Sequence, residues 1–369
     1  MTTIDHAAQE AAQHDTETPA IDMDTLMAFV GRFVGDLGAT MGAGNVVLGD
    51  RLGLYRALAR QPGDARTVAE ATGTDPRHVD EWLRGQAAGG YVEYDAATST
   101  YSMTPEQAFA LTDPSGPVFL PGAYELALGA LKAQQQIEDS FRTGAGFGWG
   151  EHDGDVFTGC ERFFRPGYLM HLLTEWLPAL EDVEAKLRRG GTVADLGCGH
   201  GASTLLMAEA FPESRFVGSD PHAGSIESAR ERAADAGVGD RVRFQVASAQ
   251  ELADREIDLV TTFDCLHDMG DPLTAARRVR EGLAADGTWL IVEPAAGDSV
   301  TSNLNPVGRV FYNFSTYLCV PNAVSQAGGY ALGAQAGEAA IRQVVTDAGF
   351  TRFRRVAETP FNNVYEARP

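Results

Sequence analysis

From residue 191 onward the sequence alternates short β-rich runs with helical stretches, and this alternation limits the possible folds more than any other feature. Five runs rich in strand-forming residues occupy positions 192–196, 215–219, 242–246, 257–263 and 288–293. Strands separated by helical stretches are typical of a parallel, doubly wound sheet. Two further runs, 350–356 and 361–366, are expected to pair as an antiparallel edge. We therefore predict an α/β fold with a mostly parallel, Rossmann-like sheet.

The first run leads directly into a glycine-rich turn with the sequence Asp195-Leu-Gly-Cys-Gly-His-Gly201. Glycines allow a tight turn and a close approach of the backbone to a ligand at the start of the next helix. The dinucleotide fingerprint G-x-G-x-x-G would require a glycine where Ala202 stands, so the spacing here is different. The second run ends at Asp220, and one carboxylate can accept hydrogen bonds from both hydroxyls of a ribose. The pattern predicts a ribose-containing cofactor at this end of the sheet.

The N-terminal part of the chain has the order helix, turn, helix, hairpin, which is the layout of a winged helix. Apolar spacing predicts one helix from about Leu26 and a second from Asn45. Thr67 and Glu70 have the spacing of a capping box, and Asp75-Pro76 has the preferred residues for a helix start. Segments 91–94 and 101–103 read as the hairpin.

Charge argues against nucleic acid as the partner of this winged helix. The chain has 29 basic and 51 acidic residues, a net charge of −22, and residues 25–110 contain seven basic and ten acidic ones. A nucleic-acid binder must present Lys and Arg to the phosphates. In the expected recognition helix, Arg77 and Arg84 are offset by Asp80 and Glu81. We predict a structural and dimerisation module, and no nucleic acid or anionic membrane as a partner.

Four segments are expected along the chain. They are a disordered acidic tail at 1–24, the winged helix at 25–112, a helical connector or lid at 113–190 with a glycine-rich break, and the cofactor domain at 191–369 with a lid insertion at 295–336. The start lacks the basic and apolar regions of a secretory signal, and no run is long and apolar enough to span a bilayer. The four cysteines lack zinc-site spacing. These features predict a cytoplasmic protein without a metal.

Residues 191–369 resemble a class I S-adenosylmethionine-dependent methyltransferase, and the preceding segments resemble those of bacterial small-molecule O-methyltransferases. The resemblance implies S-adenosylmethionine as the cofactor. It implies that the glycine turn lines the methionine and ribose, that Asp220 holds the ribose, and that the following residues flank the adenine or the methionine. The implied cofactor-binding residues are Asp195, Gly197, Cys198, Gly199, Gly201, Asp220, Pro221, His222, Ser248, Ala249, Phe263 and Asp264.

One position departs from the family pattern. After the third strand, relatives usually have an Asp that accepts a hydrogen bond from the adenine amino group, and here that position holds Ser248. The amino group would then depend on Ser248, Gln250 or a backbone carbonyl.

The candidate catalytic residues follow the fourth and fifth strands. Methyl transfer to a hydroxyl needs a base, and His267 lies after the fourth strand, where ligands of open α/β sheets bind. Its ordinary pKa near 6.5 suits a base that works around neutrality. The stretch Leu266-His267-Asp268 resembles that of small-molecule O-methyltransferases, where the His deprotonates the acceptor. Glu293, at the end of the fifth strand, resembles the acidic residue beside such a base.

Two aromatic-rich regions are expected to form the walls of the acceptor pocket, since small-molecule sites are mostly apolar. The candidate substrate residues are Trp149, Phe163, Phe164, Arg165, Tyr168, Phe311, Tyr312, Phe314 and Tyr317. The four cysteines are interpreted as small buried apolar groups.

The leading interpretation is O-methylation of a small aromatic or lipophilic acceptor by a homodimer. In a second interpretation the acceptor atom is carbon or nitrogen, and His267 only positions it. A third, suggested by the winged helix alone, is a transcriptional regulator that senses S-adenosylmethionine.

Overall fold

The computed structural model describes residues 20–369, so most of the predicted acidic tail lies outside the described residues. The chain divides into two units, one ending at Gly42 and one running from Ala43 to Pro369. The first helix is α1 (Met23–Arg51). In the first unit this helix carries exposed large apolar side chains, namely Met23, Leu26, Met27, Phe29, Val30, Phe33, Val34, Leu37 and Met41.

The winged helix is present, but two of its predicted helix starts were wrong. It contains α2 (Leu54–Arg60), α3 (Ala65–Thr72), α4 (Pro76–Ala88) and the antiparallel pair β1 (Glu93–Asp95) and β2 (Thr100–Ser102). No second helix starts at Asn45, because α1 continues to Arg51 and places Val46 in the apolar core of the winged helix.

The helix caps explain the second error. Helix α3 is capped by Asp64, whose carboxylate accepts from the backbone N–H of Thr67, so Thr67 lies inside the helix. The predicted cap at Asp75 is confirmed, since its carboxylate accepts from the N–H groups of Arg77 and His78. Asp64, three residues before Thr67, therefore caps α3 in place of the threonine hydroxyl.

The connector is helical, as predicted, and the glycine-rich break separates two of its helices. After α5 (Pro105–Leu111), which ends the winged helix, the connector comprises α6 (Pro121–Leu131), α7 (Gln134–Thr143), α8 (Gly154–Gly167), a π-helical segment (Tyr168–Trp176) and α9 (Val183–Arg188). Helices α6 and α8 pack closely, because a Cβ atom at Gly159 would lie 2.3 Å from the backbone nitrogen of Leu126.

The remaining chain forms the predicted doubly wound sheet of seven strands. They are β3 (Thr192–Leu196), β4 (Arg215–Asp220), β5 (Val242–Val246), β6 (Ile257–Phe263), β7 (Leu283–Pro294), β8 (Arg352–Glu358) and β9 (Asn362–Arg368). The order is β5-β4-β3-β6-β7-β9-β8, with β3 to β7 parallel. The last two strands run antiparallel, as expected, and β8 is the edge.

Six helices accompany these strands, and each face of the sheet has its own core. They are α10 (Ala202–Ala210), α11 (Ala223–Asp235), α12 (Pro272–Gly282), α13 (Pro306–Tyr317), α14 (Cys319–Ser325) and α15 (Gly337–Asp347). Val193 and Ala194 are neighbours in β3 yet belong to different apolar clusters, because side chains alternate across a strand. Helices α13 and α14 form the predicted insertion after β7. Within residues 20–369, none of the helices has the length and apolar character needed to cross a bilayer.

Candidate active site

The glycine turn after β3 requires glycine at its three key positions. Gly197, Gly199 and Gly201 all have positive φ angles, of 72°, 51° and 79°. A Cβ atom at Gly197 would lie 2.7 Å from the Sγ atom of Cys265, and one at Gly201 would lie 2.7 Å from the ring of Phe244. At Gly199, by contrast, a Cβ atom would meet nothing within 4 Å, so this residue borders open space. The turn is thus held against the sheet and leaves room above Gly199.

The two acidic residues at this turn have different tasks. The carboxylate of Asp195 accepts hydrogen bonds from the hydroxyls of Ser203, Thr204 and Thr261, at 2.7, 2.5 and 2.8 Å. It therefore joins the start of α10 to β6 and orders the turn from within the protein. Asp220 accepts from the backbone N–H groups of Gly199 and His222, at 3.0 and 2.8 Å.

Asp220 keeps acceptor capacity for a ligand, since each carboxylate oxygen has two lone pairs and receives one of these bonds. Burial raises the pKa of both Asp195 and Asp220, and the hydrogen bonds that these carboxylates accept partly offset that rise. Two ribose hydroxyls would be further donors for Asp220. Asp220 therefore stays the predicted ribose ligand, with a lone pair on each oxygen still available.

Asp264, after β6, offers the clearest sign of a missing ligand group. Its Oδ1 atom accepts from the side chain of Asn362 at 2.8 Å, while its Oδ2 atom is buried and has no hydrogen-bond partner. Burial, together with the nearby carboxylate of Glu293, raises the pKa of Asp264 well above its usual range. A cationic group beside Oδ2 would satisfy this atom and restore its charge. The ammonium of the methionine part of S-adenosylmethionine fits this requirement.

The residues predicted to flank the adenine lie after β4 and β5. The ring of His222 stacks on Phe157 of α8, with centroids 4.1 Å apart and planes 16° from parallel, and Pro221 is exposed. Ser248 donates its hydroxyl to Glu251 at 2.8 Å, and Ala249 is buried. Because Ser248 is engaged with Glu251, its hydroxyl oxygen is the atom left to accept from an adenine amino group.

The other predicted residues near the cofactor belong to the walls of the cleft. Cys198 is buried, and its backbone N–H donates to the carbonyl of Ser219. The ring of Phe263 packs on Tyr168 and Trp176 in the core, with centroids 5.0 and 6.2 Å apart. Because its ring lies in the core, Phe263 can contact a cofactor at the end of β6 only through its backbone.

His267 and Glu293 form a buried pair at the ends of β6 and β7. The Nδ1 atom of His267 lies 2.6 Å from Oε2 of Glu293, and the other oxygen of Glu293 accepts from the backbone N–H of Leu266 at 3.0 Å. Both side chains are only 4% exposed. Burial alone would lower the pKa of His267, but Glu293 and Cys319 together outweigh burial and raise this pKa well above 6.5. Nδ1–H donating to Glu293 leaves Nε2 as the atom that can accept a proton.

One neighbour of the His267–Glu293 pair, Cys319, was not predicted from the sequence. The Nε2 atom of His267 lies 3.3 Å from the Sγ atom of Cys319 at the start of α14. Asp268 is adjacent, and burial raises its pKa to about 7. The sequence placed Cys319 among the buried apolar groups and contained no signal, beyond its residue type, that it would meet the imidazole.

The two predicted wall regions meet in one apolar cluster, which contains five of the nine predicted substrate residues. Phe311 is buried with Leu318 and Cys319, and around them pack Trp149, Cys160, Phe163, Phe314 and Tyr317. Phe164 contacts Phe163 edge-on, and Tyr168 packs on Phe263. Arg165 and Tyr312 do not join this cluster. The guanidinium of Arg165 turns toward the carbonyl of Pro114, and Tyr312 lies on the solvent side of α13.

Asn322 of α14 links the wall regions to the catalytic stretch, and sequence reasoning missed it. Its Oδ1 atom accepts from the backbone N–H of Trp149 at 3.0 Å, and its Nδ2 group donates to the carbonyl of Asp268 at 3.1 Å. The glycine break packs onto the same helix, since a Cβ atom at Gly146 would lie 1.9 Å from the carbonyl oxygen of Pro321. Phe157 and Asn362 were also missed, and a lone Phe or Asn carries no sequence signal of such contacts.

Two family models match parts of the chain. Residues 187–327 match the model of a methyltransferase domain, and residues 41–113 match that of an Rv2258c-like winged HTH domain. The solved structure of human N-acetylserotonin methyltransferase in complex with S-adenosylmethionine superposes with a TM-score of 0.67 at 17% identity. That superposition covers 92% of this chain and 97% of the human chain, and at this identity it establishes a shared fold.

Two actinobacterial enzymes are among the similar curated proteins. The 27-O-demethylrifamycin SV methyltransferase of Amycolatopsis mediterranei is 34% identical over 33% of this chain and 48% of its own length. The mitomycin biosynthesis 6-O-methyltransferase of Streptomyces lavendulae is 24% identical over 66% of this chain and 71% of its own length. With several other curated relatives the match spans less than half of their length.

Proposed function

The chain carries a winged helix-turn-helix domain followed by an S-adenosylmethionine-dependent methyltransferase domain, and from this premise we propose that it O-methylates a small aromatic or lipophilic acceptor. The observation that carries the proposal is the buried His267–Glu293 pair at the carboxyl ends of β6 and β7. It combines an imidazole oriented by a carboxylate with a location at the ligand-binding edge of the sheet. Methylation of a hydroxyl requires such a base, whereas methyl transfer by proximity and orientation alone does not require one.

Residues on three strand ends would hold the cofactor. Asp220 would accept from the ribose, the turn around Gly199 would admit the methionine and ribose, and the Oδ2 atom of Asp264 would receive the ammonium. When bound, S-adenosylmethionine supplies an electrophilic methyl group on its sulfonium. The protein orients the acceptor oxygen toward that methyl group and removes its proton.

The proton passes to the Nε2 atom of His267. Glu293 fixes the tautomer by accepting from Nδ1–H, and its negative charge stabilises the imidazolium that forms. Burial of the pair keeps bulk water from competing with the acceptor for Nε2.

The apolar cluster formed by Trp149, Phe163, Phe311, Phe314 and Tyr317 supports an apolar acceptor. The rifamycin and mitomycin enzymes methylate oxygen atoms of small natural products, by their names. We infer an acceptor of that general chemistry, bounded by α8 on one side and by α13 and α14 on the other.

The decisive experiment is the replacement of His267 by Ala. Loss of a positioned base should lower methyl transfer by about 10²–10⁴-fold. The affinity for S-adenosylmethionine should stay nearly intact, because Nε2 faces Cys319 and not the glycine turn. Turnover within threefold of wild type would instead favour methylation of carbon or nitrogen, in which orientation alone carries the reaction.

We infer that the winged helix serves assembly rather than nucleic-acid binding. In α4, Arg77 pairs with Glu81 at 2.6 Å and Arg84 pairs with Asp80 at 2.9 Å, so these guanidinium groups are already neutralised. The exposed apolar residues of α1 suit a second copy of the chain, and a homodimer is the proposed state. The expected cytoplasmic location stays a prediction.

A further inference from the structure

Helix α8 of the connector reaches the glycine turn through the carboxylate of Glu161. Both guanidinium nitrogens of Arg232, on α11, donate to this carboxylate, one of them at 2.7 Å. The Oε2 atom of Glu161 also lies 3.4 Å from Nδ1 of His200. His200 stands between Gly199 and Gly201, so its side chain projects from the turn that would receive the cofactor.

The carboxylate of Glu161 keeps its charge although it is buried. Only 13% of its side chain is exposed. Burial would raise the pKa of Glu161, but His200 and Arg232 outweigh burial and lower it to about 2. A buried charge is tolerated when it is paired, and removing one partner leaves the others uncompensated. The three side chains therefore form one electrostatic unit.

The turn is held from both sides at this point. On the sheet side, the backbone N–H of Gly199 donates to Asp220, the predicted ribose ligand. On the connector side, the next residue, His200, meets Glu161. One helical turn before Glu161, Phe157 stacks on His222, which follows Asp220 by two residues.

Helix α8 is itself firmly anchored, so it can act as a support. The guanidinium of Arg162, next to Glu161, bonds the buried carboxylates of Asp50 and Glu125. At Gly159 the helix touches the backbone of α6 too closely for any side chain. Displacing Glu161 would require this packing to shift.

We propose that Glu161 is a positioning residue that holds the glycine turn, through His200, in the geometry that accepts the cofactor. Glu161 acts on cofactor affinity and not on proton removal, since its contacts lie at His200 and Arg232, away from the His267–Glu293 pair. This role rests on the proposed function only because it assumes the same cofactor, S-adenosylmethionine.

The test is a double-mutant cycle with S-adenosylhomocysteine as the probe, measured by calorimetry on the full chain. Glu161→Gln and His200→Gln should each weaken binding by roughly tenfold, the scale of one charge-assisted hydrogen bond. The double variant should be no more than about twofold weaker than the worse single variant, because both changes break the same contact. Asp155→Asn is the matched control, since it also removes a carboxylate from α8 but one paired with Lys132 and Arg51.

The outcomes separate the two proposals. A wild-type chain that does not bind S-adenosylhomocysteine overturns the cofactor and the role of Glu161 with it. A wild-type chain that binds, with Glu161→Gln within twofold of it or with additive effects in the double variant, overturns the role of Glu161 alone. Melting temperatures of the ligand-free variants check folding. If Glu161→Gln does not fold, His200→Gln decides alone, because it retains the Glu161–Arg232 pair.

Discussion

The Sγ atom of Cys319 lies 3.3 Å from the Nε2 atom of His267, in the position that the hydroxyl of an acceptor would need. When the imidazole is neutral and its Nδ1–H donates to Glu293, Nε2 is the acceptor of this contact and the thiol is the donor. An acceptor that is to lose its proton to Nε2 must therefore displace the thiol.

Replacing Cys319 tests this competition. Cys319→Ala removes the donor, so we expect the KM for the acceptor to fall several-fold while kcat changes little. Cys319→Ser introduces a better hydrogen-bond donor at the same place and should raise KM. Steady-state kinetics with saturating S-adenosylmethionine measure both effects. Equal KM values for the Ala and Ser variants would show that the thiol does not compete with the acceptor.

The pH dependence of methyl transfer should show a raised imidazole pKa. The sequence suggested an ordinary value near 6.5, whereas Glu293 and Cys319 together raise the pKa of His267 above it. Nε2 accepts a proton only when the imidazole is neutral, so the rate should rise with pH and reach half its maximum above pH 6.5. Rate profiles from pH 5 to 9 measure this midpoint.

Glu293→Gln provides the control for that profile. Without the carboxylate, burial dominates and the pKa of His267 falls, so the midpoint should move to lower pH. The maximal rate should fall less than in His267→Ala, because the amide can still accept from Nδ1–H. Cys319, Asp264 and Asp268 also face this site. A midpoint that stays unchanged in Glu293→Gln would assign the profile to one of these groups instead.

Cofactor binding should depend on Asp220. Asp220→Ala should weaken the binding of S-adenosylmethionine more than tenfold, because the ribose loses its acceptor and Gly199 loses its backbone partner. A bulky residue at Gly199 should have a similar effect, since φ is positive and the space beside it would be filled.

Asp258→Asn is a suitable control for the binding measurement. Asp258 also accepts a backbone N–H, that of Thr192, but at the opposite end of β3. Calorimetry should show its affinity within twofold of wild type. Unchanged affinity in Asp220→Ala as well would place the cofactor elsewhere.

Assembly should depend on the exposed apolar face of α1. Phe29, Phe33 and Leu37 follow one another at intervals of four residues and are each more than half exposed. Phe33→Glu should convert a dimer into a monomer at micromolar concentration, as measured by light scattering coupled to size exclusion. Ala39→Glu, which introduces the same charge on the opposite side of this helix, should leave the dimer intact. A monomeric wild-type chain would contradict the proposed homodimer.

Periodic and local features could be predicted from the sequence. The strand-and-helix alternation, the glycine turn and the cap at Asp75 each depend on residues close together in the chain. Prediction failed where two nearby residues could each cap the same helix, since Asp64 and not Thr67 caps α3. The continuous α1 was missed because the burial of Val46, which stabilises it, depends on residues distant in sequence.

The sequence by itself determined the fold class, the glycine turn, Asp220, and the candidacy of His267 and Glu293, because each follows from a short pattern at the end of a strand. Only the tertiary structure decided which side chains meet across the cleft. It brought Cys319 to Nε2 from 52 positions away and Glu161 to His200 from 39 positions away. The physical reason is that a contact between distant segments depends on how helices and sheet pack in three dimensions, which a local pattern does not encode.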